Sequence, residues 1–230
     1  MRTGSALGML CAAACGVLLS SCKAPKYAAY TSIHKDFRCS APWGWSVLTD
    51  GEGSHYADTT FIGPFEPAFY LGAPSLRVRW YSYSYPHRLP DGTLEMYASA
   101  DDYVRQLLAT VYRRRRIMRQ APRDIELPAA GRKAENFVVL SPAPVAKGAR
   151  WGTEIETRTQ QPVNLRQHAY VILPMKTGFY AIIYPATREG FGDYEPQFNE
   201  LVNTFEPLKD GPGGPEFAKG AKAAAALPFQ

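Results

Sequence analysis

The sequence predicts an α+β fold, in which an antiparallel β-sheet carries helices on its faces. Three observations lead to this prediction. Segments typical of strands both precede and follow an amphipathic helix, and a second helix closes the pattern. Two late strands are apolar at nearly every position, as expected when both sides of a strand are covered. Such a central pair needs a layer on each face of its sheet.

The early part of the chain is composed of strand-like segments. Residues 34–40 and 45–50 are predicted strands, and "APWG" between them is typical of a turn, with Pro42 and Gly44. "TTFIG" and "SLRVRWYSYSY" are the next predicted strands, separated by the proline-rich "PFEPAFYLGAP".

The segment "ASADDYVRQLLATVYRRRR" predicts the first helix. Ser99 and Asp102 have the spacing of a capping box. Apolar residues then recur at helical spacing: Val104, Leu107, Leu108, Val111 and Tyr112. The arginines that follow suit the negative C-terminal end of a helix dipole.

The later part predicts strands and a closing helix. Four candidate strands come next: "DIELP" to "GRKA", "NFVVLSP", "GTEIETRTQ" and "QHAYVILPM". A tight turn at "KTG" then leads into the strand "FYAIIYPA". The apolar runs 170–173 and 179–184 are predicted to form a central hairpin. "REGFGD" is interpreted as a turn. The last helix, "EPQFNELVNTF", repeats apolar residues at helical spacing: Phe198, Leu201, Val202 and Phe205.

The N-terminus predicts export and lipid anchoring. Arg2 is followed by an apolar run, residues 7–19, which is too short to span a bilayer. "LSSC" at its end resembles the bacterial lipoprotein box, in which the cysteine carries a diacylglyceryl group. A secretory signal with a cysteine nearby by chance is the alternative. With processing, residues 1–21 leave as a signal peptide and Cys22 holds the chain on a membrane, since several acyl chains anchor stably.

These assignments divide the chain into four segments. Residues 22–33 are expected to be a lipidated tether, 34–208 the folded domain, and 209–230 a flexible tail rich in Gly, Pro, Ala and Lys. The expected location is the cell envelope, facing the periplasm or the outside. Lys23 after the cysteine favours the outer membrane, by resemblance to enteric bacteria.

Charge and cysteine content limit the function classes. The chain carries 26 Lys and Arg against 21 Asp and Glu, a modest excess spread along its length, so nucleic acid is not an expected partner. Cys39 is the one cysteine left free after processing, which excludes an intramolecular disulfide. Its setting in "DFRCSAP" favours a buried strand residue over a nucleophile.

The fold pattern resembles a known group of proteins. "APWGWSVLTD", the helix near residues 101–113 and the block from "HAYVILPM" to "NTFEPL" are similar to the PsbP-like group, which includes the photosystem II extrinsic protein and bacterial lipoproteins. The resemblance spans most of residues 34–208. It implies an α/β/α sandwich and an accessory or scaffolding role without catalysis. It carries no functional residue over to this chain.

Strand alternation in "SLRVRWYSYSY" predicts a candidate binding stripe. Leu76, Val78 and Trp80 fall on one face. The other face holds the stripe residues: Arg77, Arg79, Tyr81, Tyr83 and Tyr85. Arginines bind carboxylate or phosphate in a bidentate manner, and tyrosines supply rigid contact area. The alternative is that a helix covers this face and buries the rings.

The arginine run is the second candidate. Arg113, Arg114, Arg115 and Arg116 could meet anionic lipid or a cell-wall polymer, or could form a solvated helix end. The four histidines share no metal-ligand spacing, and His55 with Asp58 is a weak pair, so no metal or cofactor is predicted.

Two functional hypotheses follow. The favoured one is a non-catalytic, lipid-anchored binding or accessory protein that docks onto an envelope complex or an anionic polymer. The alternative is an envelope hydrolase, or a thiol enzyme, that uses Cys39 or an unrecognised Ser/His pair. The thiol enzyme requires an accessible Cys39 with a lowered pKa.

Overall fold

The computed structural model describes residues 26–51, 55–66, 69, 72–89, 91–107, 117–142 and 165–214. The first strands are β1 (Tyr27–Thr31), β2 (Phe37–Pro42), β3 (Ser46–Gly51), β4 (Tyr56–Ile62), β5 (Ser75–Ser82), β6 (His87–Arg88) and β7 (Leu94–Glu95). They are followed by helix α1 (Ala100–Gln106), β8 (Ile117–Leu127), β9 (Arg132–Pro142), β10 (Leu165–Pro174), β11 (Gly178–Thr187), helix α2 (Phe191–Thr204) and β12 (Glu206–Pro207).

Seven strands form one antiparallel sheet in the order β3-β4-β5-β11-β10-β9-β8. Strands β1, β2 and β12 form a separate three-stranded sheet, and β6 pairs with β7. The main sheet therefore consists of two runs of neighbouring strands that meet where β5 pairs with β11.

The predicted central hairpin is confirmed. Strands β10 and β11 pair in register from Arg166 opposite Thr187 to Pro174 opposite Phe179. The tight turn between them closes with a hydrogen bond from the Met175 amide to the Gly178 carbonyl, 2.9 Å. All ten residues of β11 are buried, because layers cover both faces of the sheet.

One face of the main sheet packs against α2 and β2. Leu76, Val78 and Trp80 of β5 belong to this core, as the strand alternation predicts. The helix contributes its predicted apolar residues: Phe198, Leu201 and Val202, with Phe205 at its C-cap. Phe37 of β2 stacks on Phe205 with ring centroids 5.2 Å apart.

The opposite face packs against α1. Tyr81, Phe179 and Tyr170 lie on the sheet side of this second core, and Tyr103 and Val104 lie on the helix side. The chain is therefore an antiparallel sheet between helical layers, which confirms the predicted fold class.

The capping prediction for α1 is also confirmed. The Ser99 hydroxyl accepts a hydrogen bond from the Asp102 amide at 3.1 Å. The Asp102 carboxylate accepts a hydrogen bond from the backbone amide of Ala98 at 3.2 Å, where a capping box would use the amide of Ser99. The helix and its C-cap are described to Leu107, so the later positions of the predicted apolar stripe fall outside the described residues.

Helix α2 begins four residues before the predicted start. Its first turn is Phe191–Tyr194, so the second half of "REGFGD" is helix rather than turn. Burial of Phe191 against Tyr184, with ring centroids 5.1 Å apart, holds this turn in place. Pro196 consequently lies inside the helix. The packing partner is distant in sequence, so helical periodicity alone does not reveal it.

The domain starts earlier than predicted. Residues 27–31, which were expected to belong to the tether, form β1 and pair with β2 from Tyr27 opposite Pro42 to Thr31 opposite Arg38. Tyr30 packs edge-on against Phe61 at 5.0 Å, and this contact stabilises the strand on the core.

The domain also ends later than predicted. The Lys209 amide donates to the Asp36 carbonyl at 3.1 Å. Asp210 is 3% exposed, and its Oδ1 accepts from the Lys176 amide at 2.9 Å. Asp210 thus packs against the β10–β11 turn, and residues 215–230 lie outside the described residues.

Two further expectations concern segments that the structure leaves out. The candidate strand "GTEIETRTQ" and the signal peptide with Cys22 lie outside the described residues. In the part of the chain that is described, no helix combines the length and apolarity needed to cross a bilayer.

Candidate functional site

The register of β4 and β5 assembles a polar cluster on the α1 face of the sheet. Asp58 lies opposite Arg79, and Thr60 lies opposite Arg77. Side chains at alternate positions share a face, so Tyr56 joins the same side. We call Asp58, Arg77, Arg79, Tyr56 and Thr60 the Asp58 cluster.

Four donors converge on the Asp58 carboxylate. Arg77 Nη2 and Arg79 Nε both donate to Oδ2, the latter at 2.9 Å. The Tyr56 hydroxyl donates to Oδ2 at 3.1 Å, and the Thr60 hydroxyl donates to Oδ1 at 3.1 Å. Asp58 is 5% exposed, so its acceptor positions are filled from within the protein.

The electrostatics leave the Asp58 cluster positively charged. Burial raises the pKa of Asp58, but the charges and hydrogen bonds of Arg79 and Arg77 together outweigh burial, and the pKa lies below its usual value. One carboxylate therefore faces two guanidinium groups. The side chains of Arg77 and Arg79 are 33% and 24% exposed. Arg77 Nε is buried and has no hydrogen-bond partner among the described residues.

The structure places the residues of the predicted stripe in different environments. Arg77 and Arg79 belong to the Asp58 cluster. Tyr81 is 3% exposed under α1, and burial raises its pKa to about 12, so its ring belongs to the core. Tyr83 is half-buried against Phe179, whereas Tyr85 is 52% exposed and stacks on His55 at 4.3 Å. Tyr81 is therefore covered by a helix, as the alternative prediction has it, whereas Tyr85 is exposed, as a binding stripe requires.

The other predicted sites are placed differently. Arg113, Arg114, Arg115 and Arg116 lie outside the described residues, as does Cys22. His55 and Asp58 have separate partners, and no group of three or more His, Cys, Asp or Glu is arranged to hold a metal within the described ranges.

Cys39 has the properties of a core residue. It is 5% exposed in β2, and burial raises its pKa to about 12. A reactive thiol needs access and a lowered pKa. The structure gives Cys39 the opposite of both, which argues against the thiol-enzyme hypothesis.

A second surface was not found from the sequence. Near one end of β3, an open groove of about 470 Å³ is lined by aromatic and small residues: Trp43, Gly44, Trp45, Ser46, Ile62, Gly63, Pro64 and Tyr194. We call it the Trp43 groove. The Trp45 and Tyr194 rings meet edge to face at 5.6 Å, and the Tyr194 hydroxyl donates to Glu66 at 2.8 Å.

A turn places Trp43 at the rim of this groove. The Trp45 amide donates to the Pro42 carbonyl at 3.4 Å, and Gly44 between them has φ +78°. A turn with positive φ at its third residue favours glycine there. Trp43, the second residue of this turn, is 55% exposed. The "PWGW" motif predicted the turn, but the partners from β4 and α2 are remote in sequence.

Comparison with protein families gives no match, and neither does comparison with curated proteins. Solved structures do show similarity. A cyanobacterial PsbP from Synechocystis is similar at 12% identity and a TM-score of 0.45, over 81% of this chain and 95% of that one. The Ran-binding protein Mog1p of Saccharomyces cerevisiae is similar at 10% identity and 0.43, over 80% and 96%. A Pseudomonas aeruginosa protein of unknown function is similar at 15% identity and 0.42, over 78% and 96%. The first of these belongs to the group that the sequence resembles, and the similarity concerns the fold.

Proposed function

We propose that this chain is a lipid-anchored, extracytoplasmic binding protein without catalysis, which docks an anionic group of an envelope polymer or protein at the Asp58 cluster. The observation that carries the proposal is the two-to-one balance of arginines over Asp58 on a partly exposed sheet face. The "LSSC" motif supports the anchor.

The geometry suits an anion. Asp58 offsets one of the two guanidinium charges, so a net positive charge remains to attract a ligand. The exposed parts of the Arg77 and Arg79 guanidinium groups supply donors for a carboxylate or phosphate oxygen. A bound anion would neutralise the remaining positive charge of the cluster.

The docking test compares two substitutions that break the same ion pair. Arg77→Gln removes the excess charge of the Asp58 cluster, whereas Asp58→Asn raises it. Both remove the Arg77–Asp58 contact, so a purely structural role predicts the same direction of effect for each. We expect Arg77→Gln to weaken binding of soluble polyphosphate and Asp58→Asn to strengthen it. The expected change is about two- to fivefold, as for a partly exposed charge pair.

Fluorescence anisotropy of labelled polyphosphate at low salt measures this binding. Arg188→Gln is the matched control, because Arg188 is exposed and the variant loses the same charge elsewhere. Equal losses in Arg77→Gln and Arg188→Gln, or weaker binding in Asp58→Asn, would show that general charge or stability governs the interaction.

The anchor has its own test. Full-length protein expressed in a bacterium should partition with membranes, and Cys22→Ser should move it to the soluble fraction. Mass spectrometry of the N-terminal peptide reports the acyl chains directly. A wild-type protein that is soluble and unacylated would refute the anchor but leave the docking test unaffected.

A further inference from the structure

Two large aromatic side chains at or beside the Trp43 groove are exposed to solvent. Trp43 is 55% exposed and Phe65 is 80% exposed. Phe65 directly follows Pro64, which lines the Trp43 groove together with Trp43. Exposed apolar rings at or beside an aromatic-lined groove are typical of a contact site.

The chain's N-terminal end lies beside these rings. Tyr27 is opposite Pro42 in the β1–β2 pair, and the Trp43 amide donates to the Lys26 carbonyl at 3.0 Å. Cys22 precedes Lys26 by four residues, a stretch that spans at most about 14 Å when fully extended. Acyl chains on Cys22 would therefore hold Trp43 close to the bilayer surface.

The chemistry of the neighbouring residues suits that surface. Tryptophan is enriched where membrane meets water, because its ring is apolar and its N–H can hydrogen-bond. Lys23 and Lys26 lie between the anchor and β1, and residues 22–35 contain no Asp or Glu. Basic residues near an anionic leaflet favour binding.

We propose that Trp43 and Phe65, with Lys26, form a membrane-contact surface that orients the domain on the bilayer. This inference rests on the proposed anchor at Cys22. The occupant is the lipid headgroup region of the membrane that carries the acyl chains. Trp45 and Tyr194, which line the Trp43 groove, pack against the core on the α2 side of the main sheet. The Asp58 cluster lies on the opposite, α1 side, where Tyr56 belongs to the second core.

The experiment uses the full-length gene product, purified in its acylated form and reconstituted into phosphatidylcholine–phosphatidylglycerol vesicles. Lipids brominated near the headgroup end of their chains quench tryptophan emission at short range. We expect quenching of wild-type protein and loss of most of it in Trp43→Ser, although three other tryptophans remain in the sequence. Phe65→Ser should reduce the quenching without removing a fluorophore.

Leu94→Ser is the matched control. Leu94 lies in β7 and is 56% exposed, so the variant also loses an exposed apolar side chain, but away from the Trp43 groove. Its quenching should equal that of wild type. Circular dichroism of each variant confirms folding.

The outcomes separate this inference from the function on which it rests. Acylated wild-type protein that shows no quenching overturns the membrane-contact surface alone, and leaves the exposed rings for another occupant such as a sugar polymer. Quenching that is unchanged in both Trp43→Ser and Phe65→Ser also overturns it. Protein without acyl chains refutes the anchor and, with it, this inference.

Discussion

At the scale of single residues, Asp58 determines how the polar part of the sheet is held. Arg77 and Arg79 project from β5, and among the described residues Asp58 supplies the carboxylate that pairs with both. The four hydrogen bonds that its carboxylate accepts also favour the ionised form of Asp58. One side chain thus links stability, charge and the proposed docking of an anion.

We expect Asp58→Asn to lower the free energy of unfolding at pH 7 by about 1–3 kcal/mol, since charged hydrogen bonds of this kind are lost. The pKa of Asp58 is lowered in the folded state. Its ionisation therefore stabilises the protein above the unfolded pKa of about 4, and this contribution is lost as pH falls through the lower folded value.

Urea unfolding of wild type and Asp58→Asn at pH 7 and pH 3 measures this effect. The difference between the two proteins should shrink at pH 3. Asp193→Asn, at an exposed position, is the control and should change stability by less than about 0.5 kcal/mol. A gap as large at pH 3 as at pH 7 would contradict the ionic explanation.

At the scale of elements, the segment after α2 extends the domain beyond its last helix. Asp210 accepts from the backbone of the β10–β11 turn, and Gly211 lies against the Trp80 ring. The composition of this segment indicated a flexible tail, because glycine and proline disfavour regular structure. Tertiary hydrogen bonds nevertheless hold its first residues.

A pair of glycine substitutions tests this packing. Gly211 has φ +82°, and a Cβ there would lie 2.3 Å from Trp80 ring atoms. Gly92 has φ +83°, and a Cβ there would meet nothing within 4 Å. The backbone strain is therefore matched, and only Gly211→Ala adds a clash.

We expect Gly92→Ala to cost about 1 kcal/mol, from the left-handed backbone alone. Gly211→Ala should cost a further 1–3 kcal/mol or so, from overpacking against Trp80. Thermal or urea unfolding measures both variants. Equal costs would mean that the segment after α2 does not pack on Trp80 in solution.

At the scale of the whole molecule, two helical layers make the central strands inaccessible. Cys39 in β2 lies in the same core as Leu201 and Phe205. Access to its thiol therefore requires the layers to separate, and its reactivity should report global unfolding.

In a variant whose other three cysteines are changed to serine, we expect alkylation of Cys39 at pH 8 to be far slower than that of a free thiol. With a pKa of about 12, only about one thiol in ten thousand is ionised at that pH. The labelling rate should rise with urea along the unfolding transition. The Cys39→Ser variant should not be labelled, either in its native state or when unfolded in urea. Fast labelling of the native protein would restore the thiol-enzyme hypothesis.

The elements themselves were accessible from the sequence because they depend on local patterns. Ser99 and Asp102 mark the start of α1, Phe198 to Phe205 repeat at helical spacing, and the doubly apolar hairpin required cover on both faces. Each of these patterns states which side of an element is apolar. Together they are enough to predict an antiparallel sheet between helical layers.

The sites depended on contacts between residues distant in sequence. Alternation placed Arg77, Arg79 and Tyr81 on one face, but the strand register decided that the arginines meet Asp58, and α1 decided that Tyr81 is buried. The Trp43 groove joins a turn, the end of β4 and α2. A single strand specifies a face, whereas exposure and charge pairing are set by whatever packs on that face.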